Sequence, residues 1–135
     1  MALIQWDSSF KLNIDEIDRQ HHILVNSINQ LYDSMRAGSE KAVLGKQLDR
    51  LVYYTVFHFA REEHYFDTMG YPGTKAHIAE HDKFETQVAD FIDDFKAGKQ
   101  KLSGDIVQFL CDWLVKHIKG TDRKYVSFLK ARGLK

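Results

Sequence analysis

The sequence predicts an all-α protein, an up-down-up-down antiparallel four-helix bundle with an irregular N-terminal arm. Three observations lead there. Apolar residues recur in alternating steps of three and four through four separate stretches, the period of an amphipathic helix. The breaks between those stretches are short and collect Gly, Ser and the chain's only proline, and short connections join antiparallel neighbours. The length, 135 residues, suits one domain around one core.

Taken in order, residues 1–13 carry Trp6, Phe10 and Leu12 among polar residues without a sustained period, which reads as an arm laid across a bundle formed by residues 14–135. From Asp15 to Arg36 the seam is Ile17, His21, Leu24, Ile28 and Leu31. Ala37-Gly38-Ser39 ends that helix. The second seam runs Leu44, Leu48, Leu51, Thr55, His58, Glu62, Tyr65 and Met69. Met69-Gly70-Tyr71-Pro72-Gly73-Thr74 then forms a tight turn, with Thr74 as the expected N-cap of the third helix. That helix has the seam His77, His81, Phe84, Val88, Phe91 and Phe95. Lys96 to Gly104 is polar and reads as a loop. The fourth helix aligns Ile106, Leu110, Trp113 and His117, and continues to about Leu129. There is no internal repeat and no low-complexity segment.

Composition narrows the class of function. With 19 basic and 19 acidic residues the formal charge is zero, so no basic footprint marks a nucleic acid or an anionic membrane as partner. No segment approaches the roughly 20 apolar residues of a membrane span, and the N-terminus has no charged leader; a cytoplasmic protein is expected. Cys111, the only cysteine, excludes an internal disulfide and suits a reducing compartment.

The histidines are the unusual feature. His58 and Glu62, and likewise His77 and His81, are four residues apart, so each pair projects from one side of its helix, about 40° apart around the axis. In an up-down-up-down bundle the start of helix one, the end of helix two, the start of helix three and the end of helix four share one end. At about 1.5 Å per residue, His21, His58, Glu62, His77, His81 and His117 fall within roughly two turns of one level. Five imidazoles and a carboxylate cannot all stay unpaired in a core, and metal coordination resolves the conflict. The absence of Cys ligands argues against structural zinc, and imidazole with carboxylate suits iron, zinc, copper or manganese. More than four ligands exceeds one tetrahedral ion; two ions bridged by carboxylates are favoured, with Glu62 one bridge and Asp122 the candidate for the other. His117 and Asp122 are five residues apart, which a regular α-helix splays by about 140°. A π-bulge or break near Gly120 would bring them to one side; otherwise Asp122 simply caps a second helical segment. His22 and His64 lie off the seams, as surface or supporting rings. Glu63 reads as a supporting or salt-bridging carboxylate, Glu80 as solvated and Cys111 as a small buried hydrophobe.

Gln20-His21, His58-Phe59-x-x-Glu62-Glu63, His77-x-x-x-His81 and His117-Ile118-x-x-x-Asp122 resemble the ligand motifs of the hemerythrin family, in particular its single-domain bacterial members. The similarity spans nearly the whole chain, including Trp6 and Phe10, Asp18-x-Gln20-His21, Ile28-Asn29, Gly70-Tyr71 and Trp113-Leu114. The resemblance implies a non-haem di-iron centre with an oxo or hydroxo bridge. One iron would be held by His77, His81 and His117, the other by His21 and His58, with Glu62 and Asp122 bridging. It further implies reversible dioxygen binding at the second iron, for storage or delivery to oxygen-consuming enzymes, with no substrate turned over. Leu24, Thr55, Phe84, Trp113 and Leu114, one layer from the ligands, are the candidate lining of an oxygen pocket. A ferritin-like oxidase is disfavoured because the sequence has no Glu-x-x-His; an oxygen or redox sensor, or a nitric oxide or peroxide detoxifier, stay as alternatives. Zero net charge and a single domain allow a monomer.

Overall fold

The computed structural model describes residues 3–135. Met1 and Ala2, the first two residues of the expected arm, lie outside the described residues. Four long helices dominate: α1 (Asp15–Arg36), α2 (Lys41–Met69), α3 (Thr74–Lys96) and α4 (Gly104–Lys116). The chain then passes without a loop through a π-helical turn, His117–Thr121, and a 3-10 turn, Asp122–Tyr125, into a short α5 (Val126–Ala131).

The arm is anchored at two points along α1. Asn29 of α1 receives the Ile4 N–H and donates to the Ile4 carbonyl, both at 2.8 Å. Asp18 accepts the N–H groups of Leu12 (2.8 Å) and Asn13 (3.0 Å). A single 3-10 turn, Ser8–Phe10, not expected from the sequence, drives Phe10 into the core. Trp6 stacks between Phe10 and His22, with centroids at 5.0 and 4.6 Å.

α2 ends where only glycine fits comfortably. Gly70 adopts φ 70° and ψ 38°, the left-handed conformation, and both its N–H and that of Tyr71 return to the Phe66 carbonyl. Thr74 is not the N-cap of α3: Gly73 holds that position without a side-chain cap. The Thr74 hydroxyl points back and donates to the Tyr71 carbonyl at 2.5 Å, so it closes the turn. The α4 start does carry a side-chain cap, with Ser103 accepting the Ile106 N–H.

The seams of α1 and α3 are buried throughout, as expected. Those of α2 and α4 drift. Beyond Glu62 the buried residue of α2 is Phe66, with Tyr65 and Met69 only partly covered. In α4 the buried row is Val107, Leu110, Cys111 and Leu114, and Ile106 and Trp113 sit at its margin. A strict three-four count has an average period of 3.5, whereas a straight helix turns every 3.6 residues, and over a helix as long as α2 the stripe rotates visibly. The layer of histidines divides the core. A large cluster runs from Leu24 and Phe59 to Leu31, Leu44 and Phe95. A smaller one, Leu12, Ile14, Ile17, Phe66, Tyr125 and Leu129, closes the other end.

Candidate metal centre

Each helix contributes to the polar layer from the position its seam dictates: His21 from α1, His58 and Glu62 from α2, His77 and His81 from α3. All seven residues expected as ligands are at most 3% exposed. His117 opens the π-helical turn and Asp122 follows it. The wider turn absorbs the extra residue between them, and the His117 Nε2 to Asp122 Oδ1 distance is 3.0 Å. The same carboxylate meets His77 Nε2 at 3.0 Å through Oδ1 and His21 Nε2 at 2.9 Å through Oδ2. Glu62 Oε1 lies 3.2 Å from His81 Nε2, 3.5 Å from His58 Nε2 and 3.7 Å from His77 Nε2.

These atoms form two overlapping groups able to hold a cation, each within 4.8 Å across. One is Glu62, His77, His81, His117 and Asp122; the other is His21, His58, Glu62 and Asp122. Glu62 and Asp122 belong to both, which is the topology of two ions sharing two carboxylates. The donor atoms themselves call for cations. Nε2 of His21, His58 and His77, Oε1 of Glu62 and both oxygens of Asp122 are buried without a hydrogen-bond partner, and a protein core does not leave so many polar atoms unsatisfied in one place. Nε2 of His81 and His117, 3.1 Å apart, converge on the same space.

The outward nitrogens of His58, His81 and His117 are held by supporting polar groups, which fixes the tautomer that presents Nε2 inward. His58 Nδ1 donates to Gln20 Oε1 at 2.6 Å. His81 Nδ1 donates to Glu63 at 2.9 Å and His117 Nδ1 to Glu80 at 3.3 Å. Glu63 thus has the supporting role expected of it. Glu80 corrects its expectation: although its side chain is 46% exposed, it bonds His117 and accepts from the Thr121 hydroxyl at 3.0 Å. Aromatic faces clamp the rings as well, Phe59 on His81 at 3.7 Å and Trp113 on His117 at 4.4 Å.

Charge in this layer is strongly coupled. Burial takes His58 down to about 4, in spite of Glu62 beside it. At His77 burial also acts downward, but the carboxylates of Asp122 and Glu62 close to its Nε2 prevail and raise it to about 9. His117 follows the same pattern. Burial pushes both carboxylates up, and the Asp122 charge adds to this at Glu62, yet the surrounding imidazoles hold both well below the ordinary range. Two ionised carboxylates buried to this extent therefore depend on positive charge inside the layer. Tyr125 adds a contact the sequence did not suggest: its hydroxyl, fully buried, donates to Glu62 Oε2 at 2.5 Å.

Beside the layer is an apolar cavity of about 30 Å³, lined by Leu24, Thr55, Phe84, Trp113 and Leu114 together with residues such as Ile28 and Leu110. All five residues proposed from their layer line it. The one hydroxyl, Thr55, donates to the Leu51 carbonyl at 2.6 Å. A space this size admits a diatomic molecule, and apart from Thr55 and Glu85 its wall is apolar and offers water few partners.

The supporting roles of Gln20, Tyr125, Glu80 and Phe59 were not apparent from spacing. Gln20 and Tyr125 did leave a signal. Tyr125 is three residues from Asp122, on the same side of a continuing helix, and Gln20 is four residues from Glu16, to which it donates at 3.0 Å. His22 is exposed against Trp6, His64 is exposed, and Cys111 is a buried free thiol, each as expected. Among the described residues no helix is long and apolar enough to cross a membrane.

Residues 12–129 match the hemerythrin HHE cation binding domain. The chain is 39% identical to a bacteriohemerythrin of Methylococcus capsulatus, covering 97% of this chain and 100% of that one. It is 35% identical to a hemerythrin-like protein of Naegleria gruberi, covering 92% of each. A wild-type hemerythrin crystal structure superimposes with a TM-score of 0.90 at 38% identity, over 95% of this chain and 98% of that one. With a four-helix bundle, a buried layer of five histidines and two shared carboxylates, and a family match over nearly its whole length, the chain belongs to the hemerythrin family.

Proposed function

We propose that the chain holds two iron ions and binds dioxygen reversibly, for storage or for delivery to an oxygen-consuming enzyme. The observation that carries this reading is the division of seven buried residues into two cation-binding groups that share Glu62 and Asp122, next to a largely apolar cavity of diatomic size. His77, His81 and His117 would hold one ion and His21 and His58 the other, with both carboxylates between them. A reduced iron pair supplies the two electrons that reversible dioxygen binding draws on.

The chain's own residues supply the remainder. Leu24, Phe84, Trp113 and Leu114 keep water from the gas-binding side. Gln20, Glu63 and Glu80 hold the imidazoles in the tautomer that donates a lone pair inward. A donor set of five neutral imidazoles and two carboxylates gives the pair less anionic charge than a carboxylate-rich set, which favours release of oxygen over its activation. On this reading the protein is a carrier, not an enzyme, and acts as a cytoplasmic monomer.

Anaerobic reduction followed by oxygen exposure tests the proposal, with iron analysis and optical spectroscopy as readouts. Two irons per chain and a spectral change that reverses under vacuum are expected. Fewer irons, or a change that does not reverse, would defeat the carrier reading. His77→Ala should lose metal, and unchanged iron content would show the ligand assignment to be wrong.

A further inference from the structure

The two cation-binding groups are not equally supported. The first has five residues and the second four. Two of the first group's imidazoles lean on carboxylates, His81 on Glu63 at 2.9 Å and His117 on Glu80 at 3.3 Å. In the second group His58 leans on a neutral amide, that of Gln20, and His21 Nδ1 is buried with no hydrogen-bond partner. A carboxylate behind a ligating histidine raises its basicity and orients it, and losing such a partner typically weakens metal binding about 10- to 100-fold.

Preorganisation runs in the same direction. His77 and His81 stand on successive turns of α3, so their spacing is set by one rigid helix. His21 and His58 come from α1 and α2, so holding an ion between them depends on how those helices pack. Burial does not favour either group, since every ligand in both is at most 3% exposed.

We propose that the two metal positions are unequal by construction: the one facing His77, His81 and His117 is held tightly, and the one facing His21 and His58 exchanges its divalent ion. The protein then passes through a stable form carrying a single ion, which does not bind oxygen, and availability of the second ion switches it on. This rests on the two-ion reading above.

The test uses the iron-loaded protein, reduced anaerobically and mixed with an excess of a chromogenic ferrous chelator. Iron release should occur in two phases of equal amplitude, one ion each, with rates at least about 10-fold apart. Stopping the reaction after the fast phase should yield protein with one iron per chain. Glu63→Gln and Glu80→Gln should each accelerate the slow phase, by about 10-fold at the lower end of the range because both carboxylates are partly exposed, and leave the fast phase unmoved. Gln20→Leu should accelerate the fast phase alone. Release of both ions in one phase from wild-type protein overturns this inference and leaves the two-ion reading intact, as does acceleration of the fast phase by either glutamate variant. A starting content below two irons per chain overturns both.

Discussion

Tyr125→Phe isolates one atom of the metal layer. The tyrosine ring packs 5.4 Å from Phe66 and 5.6 Å from His77, and phenylalanine keeps those contacts. What is lost is the hydroxyl that donates to Glu62 Oε2 at 2.5 Å, in a place without solvent. Burial first, and then the charges of Glu62 and Asp122, push the Tyr125 hydroxyl well above its ordinary value, so it is a donor at every working pH. A hydrogen bond to a charged group contributes about 1.5–3 kcal/mol, and removing one partner leaves the other buried and unsatisfied. An unfolding entropy of about 2.1 cal/mol/K per residue gives roughly 0.28 kcal/mol/K for a chain of this length. The expected fall in Tm is therefore about 5–11 °C, measured by thermal unfolding of the iron-loaded protein. Tyr71→Phe is the control: Tyr71 packs on Phe66 and Phe128, its hydroxyl makes no bond to the layer, and a change within about 0.5 kcal/mol is expected. A Tyr125→Phe protein as stable as wild type would show that Glu62 is satisfied without the hydroxyl, and that the tyrosine is there for its ring.

Three further outcomes follow from the same geometry. Arg61 hydrogen bonds hold Glu16 down at about 2, against an ordinary 4.5. Since the folded-state value is depressed, the contribution is complete above about pH 4.5 and lost as pH falls towards 2. With Arg61 37% exposed the ion pair is partly screened, and Glu16→Gln should cost about 1–2 kcal/mol in denaturant unfolding at neutral pH, a gap that closes in acid. Leu24→Phe, which extends a ring into the cavity, should weaken oxygen binding in an optical titration without changing iron content; unaltered oxygen affinity would remove the cavity from the oxygen path. Gly120→Ala should be neutral or stabilise by up to about 1 kcal/mol, because a methyl group there meets no atom within 4 Å; a loss of more than about 1 kcal/mol in thermal unfolding would mean the π-helical turn needs glycine's freedom.

The last case shows where sequence reading succeeds and where it stops. The five-residue interval from His117 to Asp122 demands a widened turn if both side chains face inward, and the turn is there. Gly120 marked the place, yet nothing about its space or its backbone requires glycine, so the cause lies in what the wide turn delivers: Asp122 against three imidazoles. The ligands of α1 to α3 were legible because a helix converts spacing into direction with little error over two turns. Loop closure was less so, since Thr74 had two uses for its hydroxyl and the turn carbonyl won. The supporting bonds of Gln20, Glu80 and Tyr125 depend on the distance between helices, which no single-helix periodicity encodes.

Metal removal probes the division of the core. The ligand layer lies between a large apolar cluster and a small one, and the six residues of the small cluster come from the arm, α1, α2 and the segment after the π-helical turn. Those pieces meet across Glu62, Asp122 and Tyr125, whereas the far end of the bundle holds the larger apolar cluster, with the Lys96–Asp49 and Gln47–Ser34 bonds beside it. Without cations, the inward Nε2 atoms and the oxygens of Glu62 and Asp122 are left buried and unpartnered, so their cost falls on the end of the molecule with the least apolar area to resist it. Ions that bind the folded chain and not the unfolded one stabilise it by mass action. Stripping the metal should therefore lower Tm and release amide protection first in the arm, around Phe66 and from Asp122 to Leu129, while the region of Leu31, Leu44 and Phe95 keeps its protection. Hydrogen exchange on loaded and stripped protein reads this directly, and a uniform loss along all four helices would show that the two clusters unfold as one unit.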